Sequence, residues 1–302
     1  MNEAVLLVAH GTVDDLADLP AFLRNIRRGH EASPELVAEL RRRYEAIGGS
    51  SPLLGITRSL AGKLEARLGV PVRMAMRLWS PYPKDVLAEL AAERVVVLAL
   101  AQHSAAVYLD AVKEAATPGT ELVGVPDWGR APALVDAFAS RVRDAVRGWS
   151  DEERRETALV LSAHSLPRSI VDAGDSYERE ARGAADAVAA KVRDVLPDAR
   201  VAFQSQGLAT GPGGKPVAWL GPDLPSTFDA VVKDGKRRVL VAPIGFLADH
   251  VEVLYDLDLE AKAQAEERGL QFFRTASLND DDAFVSVLEG LVRPRLRLVE
   301  RA

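Results

Sequence analysis

The chain has 302 residues, a formal net charge of −6, 48% hydrophobic and 27% charged residues, and no cysteine. That balance describes a globular protein with material for about two domains, and it excludes disulfides, thiolate metal sites and cysteine-ligated iron–sulfur clusters. The acidic charge, with no basic stripe interleaved with aromatics, argues against nucleic acid as a partner.

Strand-like runs rich in Val and Leu follow one another at Ala4–Ala9, Val72–Met76, Arg94–Ala101, Glu121–Val125, Ala158–Ser162, Val201–Gln204, Arg238–Ala242 and Leu270–Arg274. Helical patterns fill the intervals, among them Glu35–Tyr44, Asp85–Ala92 and the alanine-rich Gly174–Val195. Short apolar strands alternating with helices predict parallel sheets covered on both faces, an α/β fold. The longest apolar run, Val95–Ala101, is far too short to span a bilayer. The N-terminus enters the first strand with neither a basic segment nor a cleavage site, so a cytoplasmic protein is expected.

The pattern restarts in the middle. Val5–Gly11 (VLLVAHG) is echoed by Leu159–Ser165 (LVLSAHS), and Val95–Ala115 by Val239–Ala261. Two similar α/β lobes are therefore expected, residues 1–147 and 148–302, joined by the polar stretch Arg147–Thr157.

Of the five histidines, His10, His103, His164 and His250 fall at or just beyond the C-terminal ends of predicted strands. Ligands bind at that edge in open α/β sheets, and imidazoles gathered there suit proton transfer or metal binding. His30 lies in a polar loop and reads as a surface residue. His164 is held by a stiff turn ending in Pro167. Asp249 can orient or charge-stabilise an imidazole, and Glu252 supplies a second carboxylate beside His250. On a helix opening at Glu252, residues Glu252, Asp256 and Glu260 share one face. A file of carboxylates next to two histidines reads as a route for cations inward or protons outward, and its hard oxygens suit Mg²⁺ as well.

Other motifs carry less. The glycine-rich Gly207–Gly214 lacks a P-loop ending and reads as a flexible loop. No G-x-G-x-x-G follows the first strand. Ser162, Ser165 and Ser169 near His164 suggest a hydrolase, but no G-x-S-x-G elbow is present.

Taken together, the motifs resemble the ferrochelatase family over residues 4 to 295. Those carrying the likeness are Phe22–Asn25, Ile26–Gly29 and Arg43–Leu53 in the first half. In the second half they are Ser162–Pro167, Gly174–Tyr177, Phe203–Ser205, Trp219–Pro222 and Asp249–Glu252. The resemblance implies two Rossmann-like lobes with an active-site cleft between them, and insertion of Fe²⁺ into protoporphyrin IX or coproporphyrin III with release of two protons. It implies that His164 and Glu252 face the metal and the porphyrin nitrogens. His250 and Asp249 then act as supporting or relay groups, and Glu252, Asp256 and Glu260 as the acidic metal file. Arg27, Arg43, Tyr44 and Ser51 become the candidates for the porphyrin propionates, arginine because its fork grips a carboxylate twice. The compact, cysteine-free chain is similar to bacterial members without a cluster, with porphyrin and ferrous iron as partners and membrane contact at most peripheral. One departure stands out: His10-Gly11-Thr12-Val13 occupies the place where relatives carry Leu or Tyr followed by Gly-Thr-Pro. His10 is then a metal-facing imidazole or a propionate contact. Two rival readings stay open: a chelatase for another tetrapyrrole, of the sirohydrochlorin cobalt or nickel type, using His10 and His103; and a non-catalytic porphyrin or haem carrier.

Overall fold

A computed structural model describes residues 2–207 and 215–297. The glycine-rich stretch singled out above lies, beyond Gly207, outside the described residues. In chain order the elements are β1 (Glu3–Ala9), α1 (Leu19–Ile26), α2 (Pro34–Ala46), α3 (Leu53–Leu68), β2 (Val72–Met76), α4 (Pro83–Leu90), β3 (Arg94–Ala99), α5 (Ala105–Ala115) and β4 (Glu121–Gly124). There follow α6 (Pro132–Ala145), α7 (Asp151–Arg155), β5 (Thr157–His164), α8 (Arg168–Asp172), α9 (Tyr177–Val192), β6 (Ala199–Gln204) and α10 (Leu224–Lys233). The chain closes with β7 (Arg238–Ala242), α11 (Val251–Leu254), a π-helical turn (Asp256–Ala261), α12 (Lys262–Glu266), β8 (Gln271–Arg274) and α13 (Asp282–Val292).

The strands form two four-stranded sheets of the same order, β2-β1-β3-β4 and β6-β5-β7-β8, and every pairing is parallel. The central strands β1, β3, β5 and β7 are buried along almost their whole length, as unbroken Val/Leu runs require when helices cover both faces. In each sheet the order reverses between the two central strands, so each has the kind of switch point outside whose carboxyl ends open α/β sheets bind ligands. His10 follows β1 and His164 ends β5, so each sheet carries an imidazole at that edge.

The chain divides into two compact units. One runs from the N-terminus to Trp128 and is completed by the chain from Asn279 onward; the other is Gly129–Leu278. In the first, α13 returns onto α3: Ser59 Oγ donates to Asp280 at 2.5 Å, Arg67 donates to Ser286 Oγ at 2.7 Å, and Phe284 stacks on Trp128. In the second, α6 packs on α9, where Arg143 grips both carboxylate oxygens of Asp194 at 2.7 and 2.9 Å. The boundary expected at 147/148 therefore falls inside this unit. The polar stretch taken as a linker is also built into it. Ser150 and Glu153 form a capping box that opens α7, Glu153 pairs with Arg238 of β7, and the Arg238 guanidinium lies 4.2 Å from the Trp149 ring centre.

The loop after β7 touches the end of β5. A Cβ built on Gly245 would lie 2.6 Å from Ala163 Cα, and the Gly245 amide donates to Ser162 O at 2.9 Å. Only glycine permits that approach, and it sets the loop directly against the residue before His164. Gly245→Ala is expected to lower stability by about 1–3 kcal/mol, the usual cost of overpacking, measured by urea unfolding. An unchanged unfolding midpoint would show that the loop and strand can part without cost.

Candidate functional site

His164 is the last residue of β5 and pairs with Gln204 of β6. Its carbonyl accepts from Tyr177 Oη at 2.8 Å, and the next amide, Ser165 N, donates to Gln204 O at 2.7 Å. The following turn is zipped to the Trp219–Pro222 segment: Ser165 Oγ donates to Leu220 O at 2.9 Å, Leu220 N to Leu166 O at 2.9 Å, and Arg168 N to Ala218 O at 2.7 Å. Leu220 is the buried anchor of that segment, while Trp219 is half-buried, close enough to Gly207 that a Cβ there would meet its ring at 2.7 Å. The motifs Ser162–Pro167, Gly174–Tyr177 and Trp219–Pro222, scattered in sequence, thus converge on one imidazole. Ser162 Oγ donates to Gln204 Oε1 at 2.7 Å and Ser165 Oγ to a carbonyl. Neither hydroxyl is presented as a nucleophile, which removes these two serines from the hydrolase reading.

The second half of the site follows β7. His250 caps α11 in extended conformation, and its carbonyl accepts from Val253 N and Leu254 N at 3.0 and 2.8 Å. Phe246 lies near both imidazoles, its ring centre 6.4 Å from that of His164 and 5.0 Å from that of His250. Glu252 stands between the two: Oε1 is 3.7 Å from His164 Nε2 and Oε2 is 3.6 Å from His250 Nε2. Gln204 Nε2 donates to the Glu252 carbonyl at 3.0 Å, so one glutamine holds both Ser162 and Glu252. The His164 and Glu252 side chains keep 32% and 36% of their exposure, enough for a ligand to reach them. His250 Nδ1 is buried with no hydrogen-bond partner among the described residues.

Burial, the largest single influence, would push His164 down, but the charge and hydrogen bond of Glu252, with the Ser165 backbone and the Asp256 charge, together hold the imidazole above its ordinary 6.5. Burial likewise opposes the Glu252 anion, yet the two facing imidazoles win and hold its carboxyl well below 4.5. The pair is stabilised as imidazolium and carboxylate.

The acidic file is present in altered form. After α11 the backbone widens into the π turn: Glu260 N and Leu259 N both donate to Tyr255 O, at 3.0 and 3.3 Å. Asp256 is buried and accepts from Ser205 Oγ, while Glu260 is exposed. Ser205 holds a positive φ of 59° to make that contact, the kind of local strain found at functional sites. Asp258 turns away and is gripped by Arg274. Among the described residues no group of three or more His, Asp or Glu side chains is gathered to hold a metal ion, so the carboxylate face forms no closed Mg²⁺ site. Asp249 accepts from Ser277 Oγ at 2.6 Å and from Arg274 at 3.4 Å.

The remaining candidates lie in the other unit. His10 is exposed, its Nδ1 3.3 Å from Tyr108 Oη. His103 is buried. Tyr44 is buried with its hydroxyl 2.8 Å from Thr12 Oγ1, and Ser51 is buried, its hydroxyl accepting from Leu53 N at 3.4 Å. Arg27, at the C-terminus of α1, donates to Glu31 O at 3.3 Å. Arg43 is paired with Glu39 at 2.8 Å, and together with Arg42 it holds the Glu39 carboxyl down to about 2. Sequence reasoning gave no role to Gln204, Ser205, Phe246, Arg274 or Ser277; only the Phe203–Ser205 motif marked two of them.

The family model described as Ferrochelatase matches residues 2–296. A ferrochelatase of Herpetosiphon aurantiacus is 36% identical over 305 residues, covering 96% of this chain and 97% of its own. A coproporphyrin III ferrochelatase of Anoxybacillus flavithermus is 34% identical, covering 97% and 96%. Among solved structures, CbiX, described as the terminal enzyme for biosynthesis of siroheme in denitrifying bacteria, matches with a TM-score of 0.56 at 18% identity over 98% of this chain and all of its own. A multi-domain protein of Deinococcus radiodurans with structural similarity to chelatases matches with a TM-score of 0.58 at 16% identity; this chain is covered to 98% and spans 56% of that one. The two structures share the fold. The sequence likeness, running nearly end to end, shows that the chain belongs to the ferrochelatase family.

Proposed function

We propose that this chain inserts Fe²⁺ into a porphyrin in haem biosynthesis, with His164 and Glu252 as the groups that meet the metal and the porphyrin nitrogens. The observation that carries the assignment is one carboxylate set 3.6 and 3.7 Å from two imidazoles at a sheet's switch point. Insertion is a proton reaction as much as a metal reaction: Fe²⁺ enters as two pyrrole N–H protons leave. Neutral His164 accepts a proton at Nε2, and the Glu252 anion stabilises the imidazolium so formed. At these distances a small rotation or a bridging water completes the contact. The proton then passes along Glu252, Asp256 and Glu260 towards solvent, His250 supporting Glu252 from its other oxygen. An imidazole nitrogen and a carboxylate oxygen suit Fe²⁺ on its way in, and two protein ligands leave positions for the porphyrin nitrogens.

Coproporphyrin III is the substrate we put first. The support is the near full-length likeness to coproporphyrin III ferrochelatases of Anoxybacillus flavithermus and Bacillus cereus, at 34% and 33% identity. Arg27 and Arg43 are the propionate candidates of the first unit, their guanidinium forks suiting a carboxylate, Arg43 after release from Glu39; Tyr44, its hydroxyl at Thr12, and Ser51, accepting from Leu53 N, are buried. His10, exposed at the end of β1, is a further ligand candidate for the metal or a propionate. No helix among the described residues is long and apolar enough to cross a membrane, and cytoplasm is the compartment we assign.

Anaerobic Fe²⁺ insertion followed by absorbance tests the assignment. The wild type is expected to metallate coproporphyrin III faster than protoporphyrin IX, and His164→Ala to lose roughly 10²–10⁴-fold in rate, the range of a positioned acid–base group. Wild-type protein that metallates neither porphyrin would refute the function; a fully active His164→Ala would refute the role. Because His164 must be neutral to accept a proton, the rate should fall as pH drops through its raised value, above 6.5. Glu252→Gln removes the larger of the two charges that raise it, so the acid limb of the remaining activity should move to lower pH. A limb that stays in place would separate it from this pair.

A further inference from the structure

We propose that Arg274 is a positioning residue for the insertion site, its single guanidinium tying together both ends of the segment that carries His250, Glu252 and Asp256. The proposal rests on the function argued above and deepens it. Arg274 ends β8, where it is in register with Val241 of β7, and the next amide, Thr275 N, donates to Val241 O at 2.9 Å. The side chain therefore springs from a fixed platform. One edge of the fork, Nε and Nη2, takes both carboxylate oxygens of Asp258 in the π turn, the Nη2 bond being 2.9 Å. The other nitrogen, Nη1, donates to Thr275 O at 3.0 Å and approaches Ser277 Oγ and Asp249 Oδ1, each at 3.4 Å. Ser277 Oγ completes the set by donating to the same Asp249 oxygen at 2.6 Å.

Asp249 immediately precedes His250, and Asp258 lies two residues after Asp256. Everything between them that bears on proton transfer is held at its ends by one cation. The segment needs such a tether. Its helix α11 covers only Val251–Leu254 before the chain enters the π turn, and so short a helix does not hold its own direction. The Glu252 carbonyl bond from Gln204 fixes the middle; Arg274 fixes the two ends. The guanidinium side chain is 15% exposed, against 20% and 35% for Asp249 and Asp258. It therefore works behind the site, touching neither imidazole nor Glu252. Two partners in different directions demand a planar fork, which a lysine ammonium cannot reproduce.

The test measures kcat, the KM for porphyrin and the Tm of Arg274→Met, Arg274→Lys and Ser277→Ala beside the wild type. Groups that orient metal-site residues typically cost ten- to a hundredfold when removed. Arg274→Met is expected to lose roughly that in kcat, with KM for porphyrin little changed. Arg274→Lys is expected to regain most of the Tm but not the kcat, and Ser277→Ala to show a smaller loss of kcat at nearly wild-type Tm. If Arg274→Met does not fold, the other two variants decide. The proposal is overturned if Arg274→Lys restores kcat along with Tm, if kcat falls only in step with Tm across the series, or if neither foldable variant changes kcat. Wild-type turnover in the same assay keeps the function standing when the positioning role fails; an inert wild type sinks both.

Discussion

The shared carboxylate of Glu252 is the interaction on which the rest depends. Each oxygen faces a different imidazole, so the anion is favoured twice while its burial is opposed once. That charge is the chief influence holding His164, itself partly desolvated, above its ordinary value. Without it the site would be two imidazoles beside a phenylalanine, able to bind a metal but lacking the carboxylate that stabilises a proton taken up by His164.

The scaffold around this contact consists largely of ordinary devices used closely. The reversal of strand order puts the ends of β5 and β7 side by side. Gly245 lets the loop after β7 lie on Ala163, and Tyr177, Ser165 and the Leu220 segment hold the backbone at His164. Gln204 reaches from the third strand of the set to the Glu252 carbonyl. Rigid elements thus support His164 and the start of α11, whereas Asp256 and Asp258 lie on a π turn, a backbone form tolerated where function needs it.

Much of this was legible in the sequence. All eight strands stand where Val- and Leu-rich runs placed them, because a strand buried on both faces has little freedom in composition. His10 and His164 at strand ends followed from the same reading, whereas His103 and His250 lie further along the loops after β3 and β7. The linker did not: the stretch after Arg147 is polar, but Ser150 and Glu153 spell a capping box, and Trp149 provides an aromatic face for Arg238. The division into units was obscured because α13 returns to α3, a long-range pairing without local signal. The even i, i+4, i+8 face drawn from Glu252 assumed a regular helix; nothing in the composition marks the π turn that sends Asp258 to Arg274. Arg274 and Ser277 were invisible for the same reason, since their role is defined by residues distant in sequence. In the first unit, the pairing of Arg43 with Glu39, one helical turn away, is a contact that the motif reading did not include.

Glu252 raises His164 chiefly by its charge. The direct measurement is an NMR titration of the His164 imidazole in wild type and Glu252→Gln. The wild-type group should titrate above 6.5, so its contribution to stability is full at lower pH and is lost as pH rises through that value. In Glu252→Gln the desolvation is opposed only by the Ser165 backbone contact and the Asp256 charge, and the value should fall below the wild-type one. A His164 that titrates at or below 6.5 in the wild type, or is unmoved by the substitution, would contradict the account.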